Sequence, residues 1–391
     1  MDRRTFVRGM CYGGLATFTA PLVTFGQVPG RGRFVFVLLR GGFDGLAAVV
    51  PVGDPGYAAL RGEMAFPADQ LVSLTGPFAL APGLSGLKEF WDAGELAAIH
   101  ALAIPYRTRS HFDGQAVLET GLDQPVGSSD GWLNRLLHVM GGECSGIAVS
   151  AGLPLSLEGP HPVLTWSPAV LGVVDGTYCQ RLQVLYQRDP VLHDYFEAAI
   201  QLQTHQEEMM GMRGTPAGRG GGERMSAITG AVARFLTEPG GPNVAAVEFS
   251  GWDTHANQGM AGGPLDRLFA QLSEALITLK RDLGVAWSDT TVVVMTEFGR
   301  TARPNGTGGT DHGTAGAGFV LGPRVAGSTV FSDWPGLAER DLYERRDLRP
   351  TLDTRAVLKS AIQATFDLTL AQADRIFPGS EGVRPATGLM L

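Results

Sequence analysis

Side chains that bind metal ions are concentrated in a few short polar segments of the chain. Carboxylate and imidazole groups together form the usual ligand shell of zinc, manganese and similar divalent ions. Asp253 and His255 are two positions apart, and in an extended segment this spacing puts both side chains on one side. We therefore predict a site for a divalent metal (zinc, manganese or calcium). Its candidate ligands, of which we expect three or four to bind, are Asp44, Asp253, His255, Glu297, Asp311 and His312.

Groups suited to nucleophilic attack and to anion binding accompany these ligands. Ser110 precedes a predicted helix over about residues 114–119, and the free N–H groups of a helix N-terminus favour an oxyanion or a phosphoryl group. Arginines can bind a doubly charged substrate group through two parallel hydrogen bonds, and Arg107 is one such arginine. The candidate catalytic residues are Ser110, His111, Arg109 and Arg300.

Structural alternatives remain open for several of these side chains. Ser110 could be a helix cap, a role that is much commoner for serine than nucleophilic attack. Arg300 could pair with Glu297 in a structural salt bridge. His100 lies within an apolar run, so we interpret it as a hydrogen-bonded histidine of the core. Two aromatic residues are expected in the pocket wall, Trp252 and Phe298.

Buried strands are predicted immediately before most of these polar groups. Continuous apolar runs are typical of strands that are buried on both faces of a parallel sheet. The predicted strands cover residues 34–39, 96–102, 243–249, 291–296 and 318–322, with the last one nearer an edge of the sheet. Ligands of an open parallel sheet gather beyond the carboxyl ends of its strands. The polar segments that follow should therefore share one rim.

Helices are predicted between and after the strands. They cover about residues 84–93, 265–279 and 352–366, the last two from apolar residues that recur at helical spacing. Residues 204–224 are rich in glycine and predict a mobile loop within a single domain that spans residues 30–391. The fold class expected from this layout is α/β, a three-layer sandwich with a central, mostly parallel sheet.

The amino terminus carries the signature of an export signal. Arg3 and Arg4, a phenylalanine two places later and a mildly apolar run predict a twin-arginine signal over residues 1–27. We therefore expect a periplasmic or secreted protein. In that oxidising environment Cys144 and Cys179 could pair, and two buried thiols are the open alternative.

The overall composition excludes two classes of partner. The formal net charge of −8 argues against nucleic-acid binding, which needs a cationic face. After the signal, no apolar stretch approaches the roughly 20 residues of a membrane span. The expected partners are instead a small-molecule or glycan ester and, in the periplasm, another protein.

The polar segments also resemble a known family. Taken in order, they are similar to the bacterial, twin-arginine-exported family called domain of unknown function 1501. The matching segments are residues 38–46, 107–113, 251–255, 296–301, 311–313 and 348–353. That family is similar to the alkaline phosphatase and sulfatase superfamily, whose members carry an aspartate directly after the first strand, a nucleophile before a helix, and later Asp and His metal ligands. The resemblance implies an alkaline phosphatase-like fold.

This chain departs from the superfamily pattern at identifiable positions. Asp44 comes several residues after the first strand, and Glu297-Phe298 stands where the superfamily has an Asp-His pair. Thr108 or His111 could take the nucleophile position in place of Ser110. No Cys-x-Pro-x-Arg segment occurs, so a formylglycine sulfatase is not expected. The expected function is an exported, metal-dependent hydrolase of phosphate or sulfate esters. The alternatives are a non-catalytic binding or assembly protein on the same scaffold and, third, a phosphomutase or other transferase.

Overall fold

The structure, a computed structural model, describes residues 32–125, 130–141, 144–150, 152–167 and 221–391. The predicted export signal, Cys179 and residues 204–220 of the predicted mobile loop lie outside these ranges. Residues 221–224, the end of that predicted loop, instead begin a helix that runs over Gly221–Thr237.

The strands and helices of the described ranges are numbered in chain order. The strands are β1 (Arg33–Arg40), β2 (Val49–Val50), β3 (Val72–Ser73), β4 (Ala79–Leu80), β5 (Leu96–Ala103), β6 (Gly146–Val149), β7 (Leu164–Trp166), β8 (Val244–Ser250), β9 (Thr290–Met295), β10 (Gly316–Leu321), β11 (Thr329–Phe331) and β12 (Leu352–Asp353). The α-helices are α1 (Gly45–Ala48), α2 (Tyr57–Arg61), α3 (Lys88–Asp92), α4 (His111–Thr120), α5 (Trp132–Met140), α6 (Gly221–Thr237), α7 (Pro264–Leu283), α8 (Thr354–Phe366) and α9 (Leu370–Ile376).

A nine-stranded sheet forms the centre of the molecule. Its strand order is β11-β5-β10-β9-β1-β8-β6-β7, with β12 paired to β5 outside this path. Strand β1 runs parallel to both β8 and β9, whereas β10 is antiparallel to both β5 and β9. Strand β10, which contains most of the segment predicted nearer an edge, is third from one end of the sheet and nearer that end than β9 and β1, but it is an interior strand whose residues are all buried.

Hydrophobic side chains cover both faces of the sheet. Along β1, Val35 and Val37 belong to one buried cluster, and Phe34 and Phe36 belong to the other. Alternate residues of a strand point to opposite faces, so an unbroken apolar run fits a strand that is covered on both sides. Helices α6 and α7 contribute to the first cluster, and α5 and α8 contribute to the second. The expected three-layer α/β sandwich is confirmed.

The predicted helices are present with shifted limits. The segment predicted over residues 84–93 is a 3-10 helix, Pro82–Leu87, followed by α3, and the helix predicted over 114–119 is α4. The helix predicted over 352–366 is α8, preceded by the short strand β12. His100 is buried in β5, where its Nε2 lies 2.9 Å from the Val49 carbonyl and its Nδ1 accepts the Ala101 N–H, which confirms its role in the core.

Within the described part of the chain, no helix combines the length and the apolar character that a membrane crossing requires.

Candidate metal centre

Three imidazole rings and one carboxylate meet beyond the central sheet. The Nε2 atom of His312 lies 2.9 Å from Nε2 of His111, 2.9 Å from Nε2 of His255 and 3.2 Å from Oδ1 of Asp253. The same carboxylate lies 3.4 Å from His111 Nε2 and 3.0 Å from His255 Nε2. Ligand atoms of His111, Asp253 and His312 are all within 4.8 Å of one another. These four side chains form the candidate metal centre.

Parallel strands bring the four residues to one place. His111 is the first residue of α4, which follows β5, whereas Asp253 and His255 follow the end of β8. His312 lies between β9 and β10. Strands β5, β8 and β9 all run in one direction, since β10 is antiparallel to both β5 and β9. Segments that are distant in sequence therefore leave the sheet at the same rim.

The second ring nitrogen of each histidine is held by a hydrogen-bond acceptor. The three pairs are His111 Nδ1 with Glu297 Oε1 at 2.8 Å, His255 Nδ1 with Asp311 Oδ1 at 3.2 Å, and His312 Nδ1 with the Arg109 carbonyl at 3.0 Å. A neutral imidazole has one N–H, and a carboxylate or carbonyl oxygen can only accept a hydrogen bond. In its neutral form each of the three rings therefore carries its proton on Nδ1, and the Nε2 lone pairs then face one another.

This arrangement fits a metal ion better than it fits a network of hydrogen bonds. Three Nε2 lone pairs and a carboxylate are all acceptors, and at separations near 3 Å they need a cation between them. One added proton, for example on His111 Nε2 or His255 Nε2, would still leave at least one of these pairs as a contact between two acceptors. Two ligand atoms that each lie about 2.0–2.2 Å from one ion are roughly 3 Å apart. The donor set and its spacing thus suit a divalent ion that prefers nitrogen and oxygen ligands.

Glu297 is the acceptor behind His111, and it is fully buried. Its Oε1 also accepts the Gly41 N–H at 2.9 Å and the Gln115 amide at 3.1 Å, and its Oε2 accepts the Thr296 hydroxyl at 2.9 Å. Burial alone would raise the pKa of Glu297, but these hydrogen bonds, that of His111 foremost, outweigh it and hold the pKa below its ordinary value. Glu297 is therefore an ionised support for His111. The hydrogen bond to Glu297 in turn raises the pKa of His111.

Arg300 supports the carboxylate of the centre from the protein interior. Its Nη1 donates to Asp253 Oδ1 at 2.6 Å, while its Nε donates to the Thr310 hydroxyl at 3.1 Å and its Nη2 to the Thr310 carbonyl. Burial would raise the pKa of Asp253, but the hydrogen bond and charge of Arg300 outweigh it and lower the pKa. The alternative pairing of Arg300 with Glu297 is not what the structure has, because the guanidinium group faces Asp253.

The charges and the exposure of the centre both bear on its chemistry. Asp253, Glu297 and Asp311 with the guanidinium of Arg300 leave two formal negative charges, which one divalent ion would balance because imidazoles in their metal-binding form are uncharged. The side chains of Asp253 and His255 are 42% and 45% exposed. Structural zinc sites are closed, whereas catalytic sites keep a position that substrate can reach. The open side of this centre is typical of the second kind.

A glycine makes the approach of two loops possible. Gly41, directly after β1, has a φ of 124°, and a Cβ atom at this position would lie 2.5 Å from the backbone nitrogen of Asp253. Only glycine adopts such a backbone conformation without strain. Gly41 therefore allows the segment after β1 to pack directly against the loop that carries Asp253.

Several predicted site residues have other contacts. Asp44 is buried in a bidentate pair with Arg61, accepts the Gln258 amide at 2.7 Å and caps α1, so it lies outside the candidate centre. Ser110 is the N-cap of α4, where its Oγ accepts the Asp113 N–H at 3.5 Å. The side chain of Arg107 donates to the carbonyls of Ile104 and Tyr106.

The aromatic residues near the centre have different positions. The ring of Phe298 packs against the imidazoles of His111 and His312, with centroids 4.8 and 5.1 Å apart. Trp252 is fully buried and packs on Phe43. Phe298 thus borders the centre, whereas Trp252 belongs to the core beneath it.

The structure groups these residues differently from the sequence analysis, which predicted His111 as a catalytic residue and both Glu297 and Asp311 as metal ligands. His111 stands among the predicted catalytic residues, yet its Nε2 faces the other donors directly, while Glu297 and Asp311 orient histidines from behind. One feature of the sequence could have indicated that His111 belongs with the ligands. It lies at the start of a predicted helix after a buried strand, in a polar segment like those of His255 and His312.

The fold and this centre define an α/β protein with a candidate His/Asp metal site. The chain belongs to the family described as protein of unknown function (DUF1501), whose sequence profile matches residues 96–377. All four residues of the centre lie within the matched region. No curated protein matches the chain by sequence.

Solved structures with limited similarity to this chain include the following three. The C-terminal periplasmic domain of EcEptC from Escherichia coli, in complex with Zn, has 10% identity and a TM-score of 0.39, with 76% of this chain and 74% of that chain covered. A sulfatase from Pseudoalteromonas sp. has 12% identity and a TM-score of 0.40, with coverages of 92% and 74%. The phosphonate monoester hydrolase of Agrobacterium radiobacter has 12% identity and a TM-score of 0.38, with coverages of 91% and 78%. Likenesses of this degree do not assign an activity.

Proposed function

We propose that this protein is a metal-dependent hydrolase of phosphate or sulfate esters. In this proposal His111, Asp253, His255 and His312 hold one divalent ion. The observation that carries it is the convergence of three imidazole Nε2 atoms and a carboxylate at separations near 3 Å, with an acceptor behind each Nδ1. The exposed side of the centre leaves room for a substrate, either a small molecule or a glycan ester.

Each residue of the centre has a distinct task. When bound, a divalent ion supplies Lewis acidity, which polarises an ester oxygen and lowers the pKa of water. Glu297 and Asp311 fix the tautomer and the orientation of His111 and His255, as supporting carboxylates do in known zinc sites. Arg300 keeps the Asp253 carboxylate ionised and directed at the imidazoles.

The contacts of Ser110 favour water, rather than this serine, as the nucleophile. A serine that caps a helix accepts a backbone N–H with its side-chain oxygen, and Ser110 does so at Asp113. We found no hydrogen bond between Ser110 and the four side chains of the centre, all of which lie in the described ranges. Hydrolysis should therefore survive Ser110→Ala, with only the modest loss of stability expected when a cap is removed.

Elemental analysis and turnover measurements test the proposal together. The full-length protein, purified without added chelator, should contain zinc, manganese or calcium, and His312→Ala should lose it. The metal-loaded protein should hydrolyse aryl phosphate or aryl sulfate esters with release of free phosphate or sulfate. Absence of bound metal would overturn the proposal. Metal without turnover would favour the alternative of a non-catalytic exported binding or assembly protein, and transfer of the group without its release would favour a transferase.

Export to the periplasm or beyond is part of the proposal. It is supported by the twin-arginine pattern at Arg3 and Arg4. Fusion of residues 1–30 to a reporter should direct it across the inner membrane, and replacement of both arginines by lysine should abolish this. Export of the doubly substituted fusion at the unaltered rate would contradict the assignment.

A further inference from the structure

An anionic ester needs a cationic partner, and the arginines nearest to the centre already have carboxylate partners. Arg300 is fully buried, and its guanidinium group donates hydrogen bonds to Asp253 and Thr310. The side chain of Arg109 is directed to two other carboxylates, with Nε 2.8 Å from Asp347 and Nη2 2.5 Å from Glu344. Only the backbone carbonyl of Arg109 reaches the centre. These contacts engage all three guanidinium nitrogens of Arg300 and two of the three of Arg109.

Arg346 has a guanidinium group with free donors. Its Nη1 donates to Asp347 at 3.0 Å, and its Nε and Nη2 have no hydrogen-bond partner within the described ranges. The side chain is 41% exposed. Arg346 therefore combines an anchor on a buried carboxylate with two donor nitrogens that no described group engages.

The backbone places Arg346 beside the centre. The segment at Thr301 lies between two others: its N–H donates to the Asp311 carbonyl at 2.9 Å, and it forms an antiparallel bridge with Asp347. The next residue, Ala302, donates to the Arg346 carbonyl at 3.1 Å. Asp311 and Arg346 thus lie on opposite sides of the same short segment. Their backbones are about two strand spacings, or roughly 10 Å, apart, and an extended arginine side chain can span most of this distance.

Asp311, on one side of this segment, is the carboxylate that holds His255 in the centre. Arg346, on the other side, is therefore two backbone segments away from a residue that contacts the centre.

We propose that Arg346 binds the anionic phosphoryl or sulfuryl group of the substrate and so makes the centre selective for charged over neutral esters. This inference rests on the proposed function. A guanidinium group with two free donors can form paired hydrogen bonds with two oxygens of such a group. Arg346 itself contacts none of the four donors, so its removal should leave the metal in place.

Binding of inorganic phosphate tests the role of Arg346 without requiring turnover. Isothermal titration of the zinc-loaded, full-length protein with phosphate should show binding that Arg346→Ala weakens by about ten- to a hundred-fold, the range of one hydrogen bond to a charged group. Arg346→Lys should recover part of it, because lysine keeps the charge but not the paired donors. The matched control is Arg340→Ala, a residue of the same loop whose side chain is 88% exposed and pairs only with Asp341 at 3.7 Å, and it should bind phosphate like the wild type.

Zinc content, thermal midpoint and ester turnover separate the possible failures. Zinc content and thermal midpoint should be the same in Arg346→Ala and the wild type, and turnover of an aryl acetate should be unaffected while that of an aryl phosphate falls. Zinc-loaded wild type that does not bind phosphate, or Arg346→Ala that binds it with unchanged affinity, would overturn the inference on Arg346 and leave the metal centre standing. Wild type that holds no zinc would overturn the proposed function first, and the inference with it.

Discussion

Replacement of Glu297 by glutamine should weaken metal binding with little effect on the fold. The substitution keeps the shape of the side chain and removes its charge. Glutamine can place its oxygen where Oε1 now accepts from His111, Gly41 and Gln115. Its amide can donate to the Thr296 hydroxyl, which in the wild type donates to Oε2. The geometry is retained, but His111 becomes a poorer electron donor and the centre loses one of its two net negative charges.

The size of the effect follows from this change of charge. Loss of a carboxylate that orients a metal-bound histidine costs about 10- to 100-fold in metal affinity, which corresponds to about 1.4–2.7 kcal/mol. The free energy of unfolding of the metal-free protein should change by only about 1 kcal/mol, because weaker hydrogen bonds are offset by the relief of burying a charge.

Competition with a fluorescent zinc chelator measures the affinity, and urea unfolding of the metal-free protein measures the stability. Glu274→Gln, an exposed position on α7, is the control for the loss of one negative charge far from the centre. A Glu297→Gln protein that binds zinc within about twofold of the wild type, below the range expected for such a carboxylate, would refute the assignment of Glu297 as the support of His111.

Three other substitutions test the remaining structural assignments. Asp44→Asn leaves Arg61 buried without a countercharge and should lower the free energy of unfolding in urea by about 3–5 kcal/mol. The amount of metal bound per chain should be unchanged. Loss of metal from the folded variant would indicate that Asp44 is a ligand. Burial lowers the pKa of His100 to about 4. Between about pH 6.5 and 4 only the unfolded chain therefore binds a proton at this histidine, and the free energy of unfolding falls as the pH falls. The decrease in this free energy from pH 7 to 5 should be about 2 kcal/mol smaller in His100→Gln than in the wild type, and an equal decrease would contradict a neutral, buried His100. Gly41→Ala should displace the loop of Asp253, since a Cβ would lie 2.5 Å from its backbone nitrogen, and should reduce zinc affinity in the chelator assay; wild-type affinity would show that the loop can move without harm to the centre.

The sheet was predictable because its signal is local. A strand buried on both faces has to be apolar along its whole length, so the runs at β1, β5 and β9 could be recognised without knowledge of their neighbours. The antiparallel direction of β10 and its interior position were not predictable, because the pairing of a strand depends on segments distant in the sequence. Helix limits shifted for a similar reason, since the end of a helix is set by caps and by contacts that the local pattern does not contain.

The kinds of residue in the site were also predictable, but their tasks were not. The sequence alone determined that Asp253, His255 and His312 follow buried strands, and a parallel sheet then directs them to one rim. Only the tertiary structure decided that His111 joins them, that Glu297 stands behind it, and that Asp44 belongs to a separate ion pair. The physical reason is that a carboxylate becomes a ligand, a support or a salt-bridge partner according to which atoms lie within about 3 Å of it, and those distances are fixed by packing between segments that the order of residues does not specify.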